Sequence, residues 1–173
     1  MYILRPDERT MPVMLYTQDT LVRGEVVVPE SVHRVNIWLR TDGAPKYMHI
    51  IKPQVIVFGG SPVKPLSYSE LYFPTSQVIA FHTLPPTDEP VDFDLAETDR
   101  MMHTLDVLVG TFLMRGSIRI STHTELRTSL ELARVEWMSM YDVEITNPHL
   151  PQMPALQIPM VLINTNHVAF GLE

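Results

Sequence analysis

Two stretches of this chain follow one pattern: Leu21-Val22-Arg23-Gly24-Glu25-Val26-Val27-Val28 and Leu113-Met114-Arg115-Gly116-Ser117-Ile118-Arg119-Ile120. In each stretch apolar and polar residues alternate around a central Arg-Gly pair, which is the period of a half-buried β-strand. A similar order of segments follows each stretch. Because self-similarity at a fixed spacing indicates a repeated structural unit, we predict one small unit duplicated in tandem.

The glycine occupies the same place in both stretches, on the face that the apolar residues share. Gly24 and Gly116 therefore predict a sharp bend or a close backbone approach, as small closed barrels require. A later strand in each copy changes phase midway, since Met48 and Ile50 alternate while Val55 resumes out of step. Residues 137–145 slip in the same manner. Such a slip predicts a β-bulge, located near Pro53 in the first copy.

These patterns predict a mainly β protein made of two tandem small β-barrel-like repeats, each with about five strands and one short helix. The first repeat covers residues 11–83 and the second covers residues 105–173. An acidic, proline-rich linker joins them over residues 84–104. Short helices are predicted at residues 29–40 and 121–133, the second with a capping box that runs from Thr122 to Glu125.

Composition limits the classes of function. The chain has 173 residues, 45% of them hydrophobic and 19% charged, and it has no cysteine. This favours a folded core and excludes disulfide frameworks and thiolate sites. The formal net charge is −7, and most of that net charge lies between residues 85 and 106, where the acids are opposed only by Arg100. An acidic chain repels phosphate backbones, so nucleic-acid binding is disfavoured, although a local basic face within one repeat stays open.

No apolar run has the length of a signal peptide or of a membrane span. We therefore expect a cytoplasmic protein without membrane insertion.

Known catalytic and metal-binding motifs are not found in the sequence. The histidines lack metal-ligand spacing, and the acids of the linker lack the glycine and the loop length of a calcium site. Ser61-Pro62-Val63-Lys64 matches the Ser-x-x-Lys form of some acylating enzymes, but that chemistry needs a helix start rather than a proline-rich loop. We predict no catalytic residue, no cofactor and no metal.

The polar faces of the two opening stretches form the candidate binding face, which consists of Arg23, Glu25, Arg115 and Arg119. Arginines at equivalent positions could hold a phosphate or a carboxylate through paired hydrogen bonds. The alternative is that each of them pairs with an acid of the same chain, as surface arginines usually do.

The second repeat resembles a family of short uncharacterised bacterial domains. The resemblance rests on Met114-Arg115-Gly116-Ser117-Ile118, on the helix after it, on residues 137–145 and on the closing turn Asn164-Thr165-Asn166. More loosely, the strand order, which ends in two short strands joined by a tight turn, is similar to the Sm and SH3 class of small barrels. Barrels of this class often pack edge to edge into rings. The resemblance implies no activity.

Three functions are compatible with these observations. The favoured one is a non-enzymatic interaction or scaffold protein that binds a protein partner or self-associates through exposed strand edges. The second is a small-ligand or nucleic-acid binding module that uses the arginine faces. The third is an enzyme with a site between the repeats, which would require several polar side chains to converge there.

Overall fold

A computed structural model describes residues 2–60 and 62–172 of the chain. The fold is mainly β, as predicted. The strands are β1 (Glu8–Tyr16), β2 (Thr20–Pro29), β3 (Tyr47–Val57), β4 (Pro65–Ser67), β5 (Glu70–Pro74), β6 (Ala80–Thr83), β7 (Arg100–Val109), β8 (Phe112–Ser121), β9 (Trp137–Thr146), β10 (Leu156–Asn164) and β11 (Ala169–Gly171). One α-helix, α1 (Leu126–Leu132), and two 3₁₀ helices (Val35–Arg40 and Thr75–Gln77) complete the described elements.

The strands form one antiparallel 11-stranded sheet with the order β11-β7-β8-β9-β10-β6-β1-β2-β3-β4, and β5 also pairs with β3. The sheet is open, so the prediction of two closed barrels is not confirmed. Closing the first repeat by hydrogen bonds would require its outer strands, β5 and β6, to pair with each other. Instead β6 pairs with β10 of the second repeat, which joins the two repeats into a single sheet.

The same pairing order occurs in both halves of the chain. In the first repeat it is β6-β1-β2-β3 followed by β4 and β5, and in the second it is β11-β7-β8-β9-β10. The pair β4 and β5 lies along β3 as β10 lies along β9, with a break between Ser67 and Glu70. β6 and β11 are therefore equivalent strands, and so are β5 and the second part of β10.

The predicted bulge is present in both halves. The register between β2 and β3 shifts at Arg23 and Glu25, and that between β8 and β9 shifts at Arg115 and Ser117. The extra residue on the longer strand takes a left-handed conformation in each case, with φ of 50° at Lys52 and 49° at Asp142. One inserted residue bends the strand and changes which residues face the core, which explains the phase slip.

Both glycines lie opposite these bulges. A Cβ built on Gly24 would approach Ile50 Cγ2 to 2.5 Å, and one on Gly116 would approach the Tyr141 carbonyl oxygen to 2.7 Å. The close backbone approach predicted at these positions is therefore observed, and a hydrogen atom is the side chain that fits.

The helices are shorter than the sequence predicts. Within the segment 29–40, only Val35–Arg40 is helical, as a 3₁₀ helix, and α1 begins after Glu125 without a side-chain cap. The predicted capping box does not form, because the backbone N–H and the hydroxyl of Thr122 both donate to the carbonyl of Asp99. A tertiary hydrogen bond has thus replaced the local one.

Two hydrophobic cores lie on opposite faces of β1. Val13 and Leu15 belong to the core of the first repeat, whereas Met14 and Tyr16 point into the core of the second repeat. Trp137 and Leu162 of the second repeat pack in the core of the first repeat. Each core is thus completed by residues of the other repeat.

Within the described part of the chain, no helix combines the length and the apolar character needed to cross a bilayer.

Candidate functional site

The junction between the two repeats is a short stretch of strand pairing between β10 and β6. Leu162 pairs with Phe81, and Ile163 pairs with Ala80. The N–H of Asn164 extends the ladder by donating to the carbonyl of Ile79 at 2.8 Å. The side chains of the paired residues are buried, and they alternate between the two cores.

The strands equivalent to β10 and β6, which are β5 and β11, lie at the two ends of the sheet. By their partners on β3 and β9, Tyr72 and Phe73 of β5 occupy the places that Leu162 and Ile163 occupy on β10. Ala169-Phe170 of β11 likewise occupies the place of Ala80-Phe81 on β6. Among the described residues, no strand pairs with the outer edge of β5 or of β11.

On β5, the backbone groups at the centre of the strand point away from the sheet. The N–H of Lys52 donates to the Ser69 carbonyl, and the N–H of Thr75 donates to the Lys46 carbonyl. Because inward-pointing and outward-pointing groups alternate along an antiparallel strand, the N–H and carbonyl of Tyr72 point outward. On β6 the N–H of Leu84 donates to the Pro12 carbonyl of β1. By the same alternation, the N–H and carbonyl of Phe81 point towards β10.

Large apolar side chains are exposed near both free edges. Tyr72 is 59% exposed, and Tyr47, Leu66 and Tyr68, on β3, on β4 and just after β4, are exposed as well. At the opposite end of the sheet, Leu108 and Leu172 are exposed. An edge that combines unpaired backbone groups with apolar side chains can pair with another strand.

The linker between the repeats is bound to both of them. The carboxylate of Glu89 accepts the N–H groups of Val35 and Asn36 at 2.6 and 2.7 Å, at the start of the first 3₁₀ helix. The carbonyl of Pro90 accepts hydrogen bonds from Arg34 and from the Asn36 amide. These contacts fix the first half of the linker on the first repeat.

Asp92 lies in a polar cluster drawn from three segments of the chain. Its carboxylate accepts hydrogen bonds from Ser139 and Tyr141, each at 2.6 Å, and from Arg40 at 2.7 Å. Its side chain is only 4% exposed. Burial raises the pKa of Asp92, but the three hydrogen bonds and the Arg40 charge outweigh it and leave the pKa below its usual range. Burial, followed by the hydrogen bond to Asp92, raises the pKa of Tyr141.

The second half of the linker covers Arg119. This guanidinium donates to the Glu97 carboxylate at 2.7 Å and to the Asp94 carbonyl at 2.9 Å, and its side chain is 12% exposed. The guanidinium carbon also lies 4.8 Å from the centre of the Phe93 ring, which packs edge-on against Tyr141. The acidic linker thus neutralises one arginine of the candidate binding face.

Beside the linker lies a concave surface that we call the arginine groove, with a volume of about 420 Å³. Its charged residues are Arg40, Arg100 and Arg119, and the hydroxyls of Ser121, Thr124 and Ser129 also line it. The apolar wall is formed by α1 and the segment after it, including Leu132 and Val135. The groove therefore combines guanidinium groups, hydroxyls and apolar surface.

No family model, curated protein or solved structure matches this chain. The likeness to short bacterial domains and to small barrels stays a prediction from the sequence.

The four residues of the predicted binding face do not share one site. Arg23 and Glu25 line a groove on the first repeat, where Lys52 lies 3.6 Å from Glu25. Arg115 makes a two-pronged ion pair with Asp106 at 2.8 and 3.1 Å, on the neighbouring strand. Only Arg119 lines the arginine groove. Arg115 and Arg119 thus each form an ion pair with an acid of the same chain, which is the alternative stated for them in the sequence analysis.

Sequence reasoning did not select Arg40 and Arg100 as binding residues. Arg100 is the lone basic residue of the acidic segment, and that isolation is the signal that could have found it. Arg40 ends the first 3₁₀ helix and carries no comparable signal. The pairing of β7 with β8 brings Arg100 close to Arg119, and the bond of Asp92 to Arg40 brings Arg40 to the same groove.

The histidines and the Ser-x-x-Lys match are the other candidates for chemistry that the sequence offers. Among the described residues, no group of three or more His, Cys, Asp or Glu side chains could hold a metal ion. His82 is buried, and it contacts Tyr16 Oη at 2.9 Å and the Thr83 carbonyl at 2.9 Å. Ser61 of the Ser-x-x-Lys match lies outside the described residues.

Proposed function

We propose that this protein is a non-enzymatic scaffold that self-associates head to tail, with β11 of one copy pairing with β5 of the next. The observation that carries the proposal is the pairing of β6 with β10. The strands equivalent to β10 and β6 are β5 and β11, and these lie at the two free edges of the sheet. Each repeat then acts as a small barrel-like unit that leaves its outer strands open for the next unit.

The internal junction supplies the register of the proposed contact. Leu162 pairs with Phe81, so Tyr72 of one copy would pair with Phe170 of the next. Ile163 pairs with Ala80, so Phe73 would pair with Ala169. The sequence Ala-Phe is identical at both equivalent positions. A contact between two different surfaces of identical subunits produces rings, or filaments where the rotation does not close.

The proposed contact between two copies would be weaker than the pairing of β6 with β10 within one copy. Pro74 stands where β10 has Asn164, and it has no N–H to extend the ladder. Tyr72 stands where β10 has Leu162, and its ring stacks on His49 at a centroid distance of 4.5 Å. The shorter ladder favours a reversible assembly over a permanent one. We place this assembly in the cytoplasm.

The test uses complementary variants. Tyr72→Pro removes the outward N–H of β5, and Phe170→Pro removes the corresponding N–H of β11. Proline is tolerated at an edge where the N–H points to solvent, so the sheet should fold. Light scattering across a concentration series should give multimers for the natural chain and monomers for each variant. An equimolar mixture should give a dimer, because one intact edge of each kind remains.

Leu95→Pro is the control, since Leu95 lies on the linker and is exposed. It should assemble as the natural chain does. Near-ultraviolet circular dichroism reports whether each variant is folded, and Leu172→Lys replaces Phe170→Pro if that variant unfolds. A monomeric natural chain at high concentration contradicts self-association. Dimers formed by one variant alone contradict the head-to-tail arrangement.

Nucleic-acid binding and enzymatic activity, which the sequence also left open, have weaker support. The formal charge of −7 opposes broad nucleic-acid binding. An enzyme would need reactive polar groups between the repeats, whereas the side chains that meet at Asp92 are hydrogen bonded to one another.

A further inference from the structure

The arginine groove concentrates positive charge in an acidic protein. Three of its lining residues carry a guanidinium group, and none carries a carboxylate. The acids that neutralise Arg40 and Arg119, which are Asp92 and Glu97, line a neighbouring depression that all three arginines also line. Besides the arginines, the groove itself is lined by hydroxyls and apolar side chains.

Arg100 lines both the groove and the neighbouring depression that holds Asp92, Asp94 and Glu97. Its side chain is exposed at the start of β7, and within the described residues it makes no hydrogen bond or ion pair. Arg40 uses a single nitrogen, Nη1, for its contacts with Asp92 and Ser139. A guanidinium has five N–H donors, so both side chains keep donors for a further acceptor.

The opposite wall of the groove is apolar and open to water. Leu132 is 68% exposed and Val135 is 51% exposed, at the end of α1 and just after it. Ala133 and Met138 continue this wall towards β9. The volume of about 420 Å³ lies within the range of roughly 300–1,000 Å³ typical of small-molecule sites.

We propose that the arginine groove binds a small amphiphilic anion, with a phosphate or carboxylate head on Arg40, Arg100 and Arg119 and an apolar body along Leu132 and Val135. Oxyanion heads match the planar fork of guanidinium donors, and burying the body removes exposed apolar surface from water. The groove is built from the first 3₁₀ helix, β7, β8, α1 and β9, and none of these three strands lies at an edge of the sheet. This ligand site is therefore independent of the proposed self-association.

The test is calorimetric titration of the full chain with hexyl phosphate, hexanoate, inorganic phosphate and hexanol. Hexyl phosphate or hexanoate should bind at least about tenfold more tightly than inorganic phosphate and hexanol, because only they engage both walls. Arg100→Ala should weaken the binding of the amphiphile by roughly tenfold. Leu132→Ser should weaken the binding of the amphiphile and leave that of inorganic phosphate unchanged.

Arg23→Ala is the matched control, because it removes the same charge from an exposed arginine that lines a different groove. Its titration should equal that of the natural chain. The proposal is overturned if neither amphiphile binds at millimolar concentration, or if Arg23→Ala weakens binding as much as Arg100→Ala. It is also overturned if a single-stranded oligonucleotide displaces the amphiphile and binds more tightly. Binding by a monomer would uphold the site even where self-association fails.

Discussion

Gly24 and Gly116 occupy equivalent bends, but different atoms surround them. At Gly116 the atom nearest to an added Cβ is the Tyr141 carbonyl oxygen at 2.7 Å, which belongs to the backbone of β9. At Gly24 it is Ile50 Cγ2 at 2.5 Å, the end of a side chain, while the nearest backbone oxygen is 3.2 Å away. A side chain can rotate, whereas a backbone carbonyl within the sheet cannot move without breaking pairing.

We therefore predict that Gly116→Ala destabilises the protein more than Gly24→Ala does. The expected losses in free energy of unfolding are about 2–3 kcal/mol and about 1 kcal/mol, in line with the usual costs of overpacking. Urea denaturation of each variant measures them. Gly43→Ala is the control, because its Cβ would meet only Thr41 Oγ1 at 3.7 Å. Equal losses at Gly24 and Gly116 would contradict the argument from backbone contact.

His82 and Tyr16 form a buried polar pair beside β1. Burial lowers the pKa of His82 to about 4, so the imidazole is neutral at pH 7. Its Nδ1 lies 2.9 Å from the Thr83 carbonyl, which can only accept. Nδ1 therefore carries the proton, and Nε2 accepts a hydrogen bond from the Tyr16 hydroxyl. Burial also raises the pKa of Tyr16, which keeps this hydroxyl protonated.

This pair predicts a loss of stability in mild acid. The unfolded chain binds a proton at His82 near pH 6.5, whereas the folded chain does so near pH 4. Stability is therefore complete above pH 6.5 and falls as the pH drops from 6.5 to 4, by roughly 2–3 kcal/mol. Thermal denaturation at pH 7 and pH 4.5 measures the change. In His82→Phe most of this loss of stability in acid should disappear, whereas His33→Gln, at an exposed position, should lose as much stability as the natural chain does. If His82→Phe also lost as much stability as the natural chain, the assignment to His82 would be contradicted.

At the scale of elements, the linker acts as a strap between the repeats. Glu89 holds the start of the first 3₁₀ helix, Asp92 joins Arg40 to β9, and Glu97 holds Arg119 of β8. These three acidic side chains of the linker are therefore acceptors for specific N–H, hydroxyl and guanidinium groups. β7 then begins at Arg100, within the segment predicted as linker, because Arg100 pairs with Ser121 at the far end of β8.

We predict that Asp92→Ala loosens this strap. The substitution leaves Arg40 without its ion pair and leaves the Ser139 and Tyr141 hydroxyls without their acceptor. The free energy of unfolding should fall by about 2–3 kcal/mol, less than for a fully buried pair because Arg40 is partly exposed. Amide hydrogen exchange of residues 87–99 should become faster. Asp88→Ala, an exposed substitution in the same segment, should change neither quantity; equal effects of the two variants would count against a specific strap.

At the scale of the whole molecule, the two repeats share their cores. Met14, Tyr16 and Ile79 of the first repeat are buried in the core of the second, and Trp137 and Leu162 are buried in the core of the first. Gly110 also brings the β7–β8 turn against the turn after β1, where an added Cβ would lie 2.5 Å from the Thr17 carbonyl oxygen. Unfolding one repeat would therefore expose apolar surface of the other.

This sharing predicts a single cooperative unfolding transition. Val22→Ala in the first core and Val161→Ala in the second should each shift that one transition, at a cost of about 1–3 kcal/mol. Calorimetry should give equal calorimetric and van't Hoff enthalpies for the natural chain. Leu95→Ala, at an exposed position on the linker, should leave the transition in place. Two transitions, each moved by one of the two core variants, would show independent repeats.

The sequence by itself determined the mainly β class, the glycines at the bends and the bulges that follow them. These features depend on residues a few positions apart on one strand, so alternation and its slips record them directly. Only the tertiary structure decided that the sheet is open, that β6 pairs with β10, and that Arg40, Arg100 and Arg119 meet in one groove. Strand partners and side chains from distant segments are selected by packing between whole units, and a local pattern carries no record of that choice.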